Sequence, residues 1–217
     1  MHEQQVRITP TANGPYRVEG LSSVTRLRDG GEVEAPSRAA LCRCGGSSNK
    51  PFCDGTHARN GFSSNKDPDR QPDRRDDYVN GSLTIHDNRG LCAHAGRCTD
   101  NLASVFRLGT EPFIDPAGAT TEEIIAVIGM CPSGALSYSI DGVEHRERGG
   151  EATVGFAPGG PYVVSGGCEL VDVEMPEGAT TDHLALCRCG ASKNKPFCSG
   201  THWYVDFDED VPSESPR

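Results

Sequence analysis

The sequence predicts a loop-rich α+β protein in which two related β-strand repeats flank a different central segment. Its 217 residues include 26 glycines and 15 prolines, and only 35% are hydrophobic, so the chain is rich in turns and is not mostly helical. A seventeen-residue stretch occurs twice, as LCRCGGSSNKPFCDGTH from Leu41 and as LCRCGASKNKPFCSGTH from Leu186. Between the copies lie helix and strand signals that neither repeat contains.

Each repeat is longer than the quoted stretch. GPYRVEG at 14–20 matches GPYVVSG at 160–166, and the partly alternating stretches VTRLR at 24–28 and LVDVE at 170–174 predict further strands. We therefore expect strands followed by a Cys/His loop in each repeat. The predicted domains that contain the repeats are 1–64 and 146–205.

The central segment carries its own signals. Residues 65–77 (NKDPDRQPDRRDD) are charged and interrupted by proline, which predicts a linker before a central domain at 78–145. Within that domain we predict strands at 82–86 and 136–140 and helices at 99–106 and 121–129, the last opened by a capping box at Thr120 and Glu123. An acidic tail is predicted at 206–217.

Composition limits the possible partners and compartment. The net charge of −10 argues against nucleic acid and anionic membrane surfaces as partners, since both attract basic footprints. The polar start and the lack of 18 consecutive apolar residues predict a cytoplasmic protein with no membrane contact. In that compartment thiols stay reduced, so the ten cysteines indicate metal ligation or redox chemistry rather than disulfides.

The duplicated motif has the spacing Cys-x-Cys-x8-Cys-x3-His in both copies. Three sulfur ligands and one nitrogen ligand suit either a zinc ion or an iron–sulfur cluster, and the spacing alone leaves both open. Asp54 and Ser199 follow the third cysteine and are able to cap a short helix that carries the histidine. The candidate ligands are Cys42, Cys44, Cys53 and His57 in the first copy and Cys187, Cys189, Cys198 and His202 in the second.

The motif resembles the signature of the CDGSH (NEET) iron–sulfur family. The first copy matches it throughout, at Cys42, Cys44, Ser47, Pro51, Cys53, Asp54, Gly55, Thr56 and His57, whereas the second has Ser199 in place of the aspartate. The resemblance implies a 2Fe–2S cluster at each motif. It also implies two CDGSH β-cap repeats that form an intrachain pseudo-twofold unit, so a second subunit is not needed and we expect a monomer.

The central segment resembles a divergent mono-cluster ferredoxin-like domain over 78–140. Cys92, Cys98 and Cys131, the last followed by proline, have the outline of a single-cluster ferredoxin, but Ala95 replaces the middle cysteine. The resemblance implies a 3Fe–4S cluster on three thiolates. A neighbouring histidine, His94, would allow a 4Fe–4S cluster instead as a fourth ligand.

These expectations describe a multi-cluster iron–sulfur protein for one-electron transfer or for cluster storage and transfer. No catalytic residues are predicted and the chain is not expected to be an enzyme; its partner would be a redox protein or a cluster acceptor. Two alternatives remain, an electron-transfer subunit of an oxidoreductase complex and a structural zinc protein. The tenth cysteine, Cys168, has no ligand spacing and is predicted to be a buried thiol.

Overall fold

A computed structural model describes residues 5–208 of the chain; residues 1–4, and 209–217 of the predicted acidic tail, lie outside the described residues. The first repeat contains β1 (Arg7–Pro10), β2 (Tyr16–Glu19), β3 (Ser23–Arg26), β4 (Gly31–Glu34), β5 (Arg38–Leu41) and a 3-10 helix (Thr56–Ala58). The central segment contains β6 (Arg75–Asn80), β7 (Leu83–Asn88), a 3-10 helix (Arg89–Leu91), α1 (Arg97–Asn101), α2 (Thr121–Ile128), β8 (Leu136–Ile140) and β9 (Val143–His145). The second repeat contains β10 (Thr153–Phe156), β11 (Tyr162–Ser165), β12 (Glu169–Leu170), β13 (Leu184–Leu186) and a 3-10 helix (Thr201–Tyr204).

The two repeats exchange strands. One sheet has the order β12-β1-β2-β5, and the other has the order β13-β11-β10-β3-β4. Strand β12 of the second repeat pairs parallel with β1, while β3 of the first repeat pairs parallel with β10 and brings β4 with it. Each sheet therefore needs an element from the other repeat, and the two repeats fold as one unit within the chain.

Two buried tyrosines extend this exchange to the Cys/His loops. The Tyr16 hydroxyl lies 3.0 Å from the Cys187 carbonyl and 2.9 Å from that of Pro196, in the second repeat. Reciprocally, the Tyr162 hydroxyl lies 2.9 Å from the Cys42 carbonyl and 2.8 Å from that of Pro51. The two rings meet edge to face at 6.0 Å. Burial raises the pKa of both hydroxyls, so both remain protonated donors.

Replacing either tyrosine by phenylalanine should destabilise the fold. Tyr16→Phe or Tyr162→Phe removes a donor from buried carbonyls, and we expect each to lower the free energy of unfolding by about 1–3 kcal/mol. Tyr204→Phe is the matched control, because that side chain is 86% exposed and should change stability by no more than about 0.5 kcal/mol. Denaturant unfolding measures the three variants. Equal stabilities for Tyr16→Phe and Tyr204→Phe would contradict the buried hydrogen bonds.

The central segment forms its own antiparallel sheet, in the order β6-β7-β8-β9. Helix α2 begins at the predicted capping box, where the Thr120 side chain accepts from the Glu123 backbone and the Glu123 side chain accepts in return. The apolar face of α2 buries Ile124 and Ile128 against the sheet, and strand β8 has the predicted bounds. The ferredoxin-like character of this domain's fold stays a prediction.

Three elements differ from the sequence-based expectations. Strand β6 begins at Arg75, inside the predicted linker, because the Arg75 guanidinium donates to Glu144 on β9 at 2.8 Å and β6 pairs with β7. Helix α1 ends at Asn101, because Leu102 leaves the helical region with φ of −150°. Strand β12 stops at Leu170, since Asp172 has φ of 56° and turns the chain out of the sheet.

Within residues 5–208, none of the helices has the length and apolar content that crossing a lipid bilayer requires.

Candidate metal centres

The four candidate ligands of each duplicated motif lie in two close pairs. In the first repeat, the sulfur atoms of Cys42 and Cys44 are 3.9 Å apart, and Cys53 Sγ is 3.3 Å from Nδ1 of His57. In the second repeat the corresponding distances are 3.9 Å between Cys187 and Cys189 and 3.4 Å between Cys198 and His202. Each repeat thus brings its four candidate ligands into two contacting pairs, with the histidine Nδ1 facing sulfur, while their role as ligands stays a prediction.

The backbone of the first loop explains this pairing. Strand β5 leads into Cys42, whose amide donates to the Pro51 carbonyl, while the Cys53 amide donates to the Ala40 carbonyl. Gly55 then takes a left-handed conformation, with φ of 87°, and turns the chain so that His57 faces back towards Cys53. The Gly55 amide also donates to Cys53 Sγ at 3.4 Å, and Gly200 does the same for Cys198.

The residue after the third cysteine supports the loop differently from the expected helix cap. Gly55, not Asp54, is the N-cap of the first 3-10 helix, and Gly200, not Ser199, is that of the second, because each glycine takes a left-handed conformation immediately before the helix. Asp54 instead accepts from the Thr56 amide at 3.0 Å and from the Ser48 amide at 2.9 Å. Burial alone would raise the pKa of Asp54, but these hydrogen bonds hold it well below its usual range.

Ser199, the counterpart of Asp54, makes similar hydrogen bonds within the second loop but carries no charge. Its hydroxyl accepts from the Lys193 amide at 3.1 Å and contacts the Thr201 hydroxyl at 2.8 Å. The departure from the family signature therefore preserves the loop and removes one negative charge from the neighbourhood of the second site.

In each Cys-x-Cys pair, a hydrogen bond between the two thiols lowers the pKa of one of them. The hydrogen bond between the two thiols lowers the pKa of Cys44 to about 6 in the first repeat and that of Cys187 to about 6 in the second. The same hydrogen bond raises the pKa of the partners, Cys42 and Cys189. Since the thiolate is the form that binds metal, this hydrogen bond favours the metal-binding form of one thiol in each pair.

The two sites touch through their loops. Cys44 and Cys189 form an antiparallel β-bridge, so one candidate ligand of each site stands opposite the other. A Cβ atom on Gly45 would lie 2.4 Å from the Cys189 carbonyl oxygen, and one on Gly190 would lie 2.5 Å from that of Cys44. Both glycines have positive φ, and only glycine fits this approach.

The three central cysteines also come together. Cys92 follows a 3-10 helix, Cys98 lies in α1 and Cys131 follows α2. Burial and, to a smaller extent, the neighbouring thiols of Cys92 and Cys131 raise the pKa of Cys98 to about 11. The three thiols thus share one electrostatic environment, although residues far apart in sequence carry them.

Sequence reasoning missed an arginine at this three-cysteine site. Arg89 Nη1 lies 3.5 Å from Cys92 Sγ, its Nε pairs with the Asp87 carboxylate at 2.9 Å, and its guanidinium stacks 3.7 Å from the centre of the Phe113 ring. Burial raises the pKa of Asp87 to about 6. No sequence signal distinguishes this arginine, because its position depends on β7 and on the chain around Phe113.

His94 takes a place that spacing did not indicate. Its side chain lies against Gly200 of the second repeat, where an added Cβ would be 2.7 Å from His94 Cβ and Cδ2. Burial lowers the pKa of His94, and the nearby Arg89 lowers it further. The His94 ring therefore packs on the second CDGSH loop, while its role as a fourth cluster ligand stays a prediction.

Two further groups lie outside the candidate centres. His86 Nδ1 contacts the Asp77 carboxylate at 2.7 Å and its Nε2 contacts the Ser139 hydroxyl at 2.7 Å. His86 and Ser139 are buried, at 5% and 6% exposed, whereas Asp77 is exposed, so these contacts join β6, β7 and β8 with only the carboxylate at the surface. Cys168 is buried, as predicted, and burial raises its pKa to about 11.

Comparisons with known proteins agree with this arrangement. The family model described as "Iron-binding zinc finger CDGSH type" matches residues 13–58 and 159–203, and the model described as "Divergent 4Fe-4S mono-cluster" matches residues 78–141. The chain is also 33% identical over 61 residues to "Uncharacterized protein YjdI" of Escherichia coli strain K12 and, equally, to that of O157:H7. The aligned part is 28% of this chain and 80% of YjdI. The chain therefore belongs to the CDGSH iron-binding family, with two CDGSH repeats flanking a divergent 4Fe-4S mono-cluster domain.

Proposed function

We propose that this chain carries electrons one at a time, with a 2Fe–2S cluster in each CDGSH loop and a cubane-type cluster on the three central cysteines. The clusters, when bound, supply one-electron oxidation and reduction. The protein supplies the ligands, holds the sites in contact and surrounds the sulfur atoms with donors.

The pairing of the candidate ligands carries this proposal. Four ligands on one zinc ion would all lie within about 4 Å of one another, because zinc–sulfur bonds are about 2.3 Å long. Among residues 5–208, no three His, Cys, Asp or Glu side chains converge in the way that a single ion needs. Two pairs of ligands, each close enough to share one metal atom, instead suit a two-iron cluster in which each pair binds one iron.

The same reasoning supports a cubane at the central site. Its three thiols interact electrostatically but do not converge on a single ion position. A cubane accepts one thiolate on each of three irons, which spreads the ligands over the cluster. Three cysteines favour 3Fe–4S, whereas the family description favours 4Fe–4S, so the number of irons is part of the proposal.

Donors from the protein would set the potential of each cluster. Backbone amides of Gly46 and Gly55 donate to Cys44 and Cys53, each at 3.4 Å, and hydrogen bonds to sulfur raise the potential of a cluster by stabilising its reduced form. Arg89 supplies a positive charge beside Cys92, which acts in the same direction at the central site.

Metal analysis tests the proposal. Anaerobically purified protein should contain iron and acid-labile sulfide in place of zinc, and reduction should generate 2Fe–2S electron paramagnetic resonance (EPR) signals. Cys131→Ala should remove only the central cluster, and Cys168→Ala is the matched control that leaves every cluster in place. Zinc without sulfide would overturn the proposal in favour of the structural alternative. A central cluster that survives Cys131→Ala would overturn the assignment of that site.

Cluster transfer to an acceptor is a second candidate function, and the first CDGSH site favours it. Cys53 and His57 are both partly exposed, whereas Cys198 and His202 are buried. A partner protein would therefore reach the first cluster more easily. Transfer predicts that an apo-acceptor gains iron and sulfide from this site, whereas electron transfer to a redox partner, including the rest of an oxidoreductase complex, leaves the cluster content unchanged.

A further inference from the structure

The central domain lies on one CDGSH site. Asn194 Nδ2 of the second CDGSH loop donates to the Gly90 carbonyl at 2.6 Å, and this hydrogen bond is buried. Ala93, next to Cys92, forms a small buried cluster with Ala185 and Cys198. A residue beside a candidate ligand of the three-cysteine site thus shares a buried cluster with a candidate ligand of the second CDGSH site.

The part of the second CDGSH loop around His202 also contacts the central domain. Trp203 Nε1 donates to the His94 carbonyl at 3.1 Å, and its ring lies 5.1 Å from the ring of His202. Gly200 is buried against His94 and has no room for a Cβ atom. Loop 90–98 and loop 194–203 therefore form a close contact, which we call the junction.

Within residues 5–208, the corresponding positions of the first repeat have no such cover. Gly55, the counterpart of Gly200, would meet no other atom within 4 Å if it carried a Cβ, and Ala58 stands in the place of Trp203. Asn49, the counterpart of Asn194, is exposed. The two CDGSH sites thus have nearly identical sequences but different neighbours: in the described part of the chain, the central domain packs on these positions of the second site and not on those of the first.

The first site instead touches the second. The β-bridge between Cys44 and Cys189 brings one candidate ligand from each CDGSH site to opposite positions on paired backbone. The second site therefore has contacts on two sides, with the three-cysteine site through the junction and with the first site through this bridge.

We propose that the junction makes the second CDGSH site the intermediate in a linear relay, so that electrons pass between the three-cysteine site and the first CDGSH site by way of the second. This inference rests on the proposed function. Each step oxidises one cluster and reduces its neighbour by one electron, and no bond is made or broken. An external one-electron donor and acceptor act at the ends; sodium dithionite serves as the donor in the test.

Spin relaxation in the reduced protein measures the order of the sites. Cys53→Ser leaves the second CDGSH cluster with the central one, and Cys198→Ser leaves the first with the central one. Because a neighbouring paramagnetic cluster speeds relaxation steeply with proximity, the 2Fe–2S signal should relax faster in Cys53→Ser than in Cys198→Ser. Adding Cys131→Ala to both removes the central cluster and should abolish that difference. If Cys198→Ser does not fold, His57→Ala and His202→Ala form the equivalent pair.

The outcomes separate the two proposals. Equal relaxation in the two single variants, or faster relaxation in Cys198→Ser, would overturn the relay order while leaving the clusters assigned. A difference that persists after Cys131→Ala would also overturn it, since the central cluster would not be its cause. Wild-type protein without any 2Fe–2S signal would overturn the proposed function itself.

Discussion

Gly45→Ala should disrupt both CDGSH sites at once, although it changes only one repeat. The added Cβ would lie 2.4 Å from the Cys189 carbonyl oxygen and 2.8 Å from its carbonyl carbon, and backbone atoms cannot swing aside as a side-chain end does. Alanine at φ of 75° adds a penalty of about 1–2 kcal/mol, and relieving the overlap adds about 1–3 kcal/mol. Gly190→Ala should have the same effect from the other side, because its Cβ would lie 2.5 Å from the Cys44 carbonyl oxygen.

Gly55→Ala is the matched control for this prediction. Gly55 has an equally left-handed φ of 87° but nothing within 4 Å of an added Cβ, so the variant incurs the backbone penalty alone. Denaturant unfolding and the 2Fe–2S content of purified protein are the measurements. We expect Gly45→Ala to lose cluster from both repeats and Gly55→Ala to retain it. Identical stability and cluster content in the two variants would contradict a shared contact between the loops.

The contrast between these glycines separates the features that the sequence predicts from those that depend on the fold. The close pairing of the four candidate ligands in each CDGSH motif was predictable because they lie within sixteen positions and the motif repeats, while their role as ligands stays a prediction. The capping box of α2 was predictable for the same reason, since Thr120 and Glu123 act on each other locally. Gly45 and Gly55 look alike in sequence, however, and only the fold places one against another backbone.

Long-range contacts account for what the sequence could not predict. The exchange of β12 and of the hairpin β3–β4 joins residues more than a hundred positions apart, for example Arg7 with Glu169. Arg89 at the three-cysteine site and Trp203 over His94 depend on similar contacts. Such pairings leave no local periodicity in the sequence. The residues of the junction can be read from the sequence, but their contacts with one another cannot.

Acid should release the first CDGSH cluster well before the second. Each site has one imidazole ligand, and protons compete with iron for its nitrogen. Burial and, to a smaller extent, the positive charge of Arg188 lower the pKa of His202 from 6.5 to about 4. A lowered pKa favours the neutral ring, which is the form that binds metal, so the second site should hold its cluster until the pH approaches 4. His57, in contrast, is partly exposed.

The surroundings of the two histidines act in the same direction. Asp54 keeps a negative charge near the first site, whereas uncharged Ser199 stands at the second. Trp203 packs on His202 where the first repeat has Ala58. At pH 5.5 we therefore expect the second cluster to decay at least about tenfold more slowly than the first.

Single His→Cys variants isolate each site for this measurement. His57→Cys leaves the second site with its histidine, and His202→Cys leaves the first, while a Cys131→Ala background removes absorbance from the central cluster. Each replaced site should resist acid and have a lower potential, because thiolate donates more electron density than imidazole. Between pH 7 and pH 5, the cluster absorbance should then decay fast in His202→Cys and slowly in His57→Cys. Adding Trp203→Ala should reduce the difference between the two decay rates. Equal decay rates would contradict the predicted difference between the two sites. Decay that neither substitution changes would show that protonation of the imidazole is not its cause.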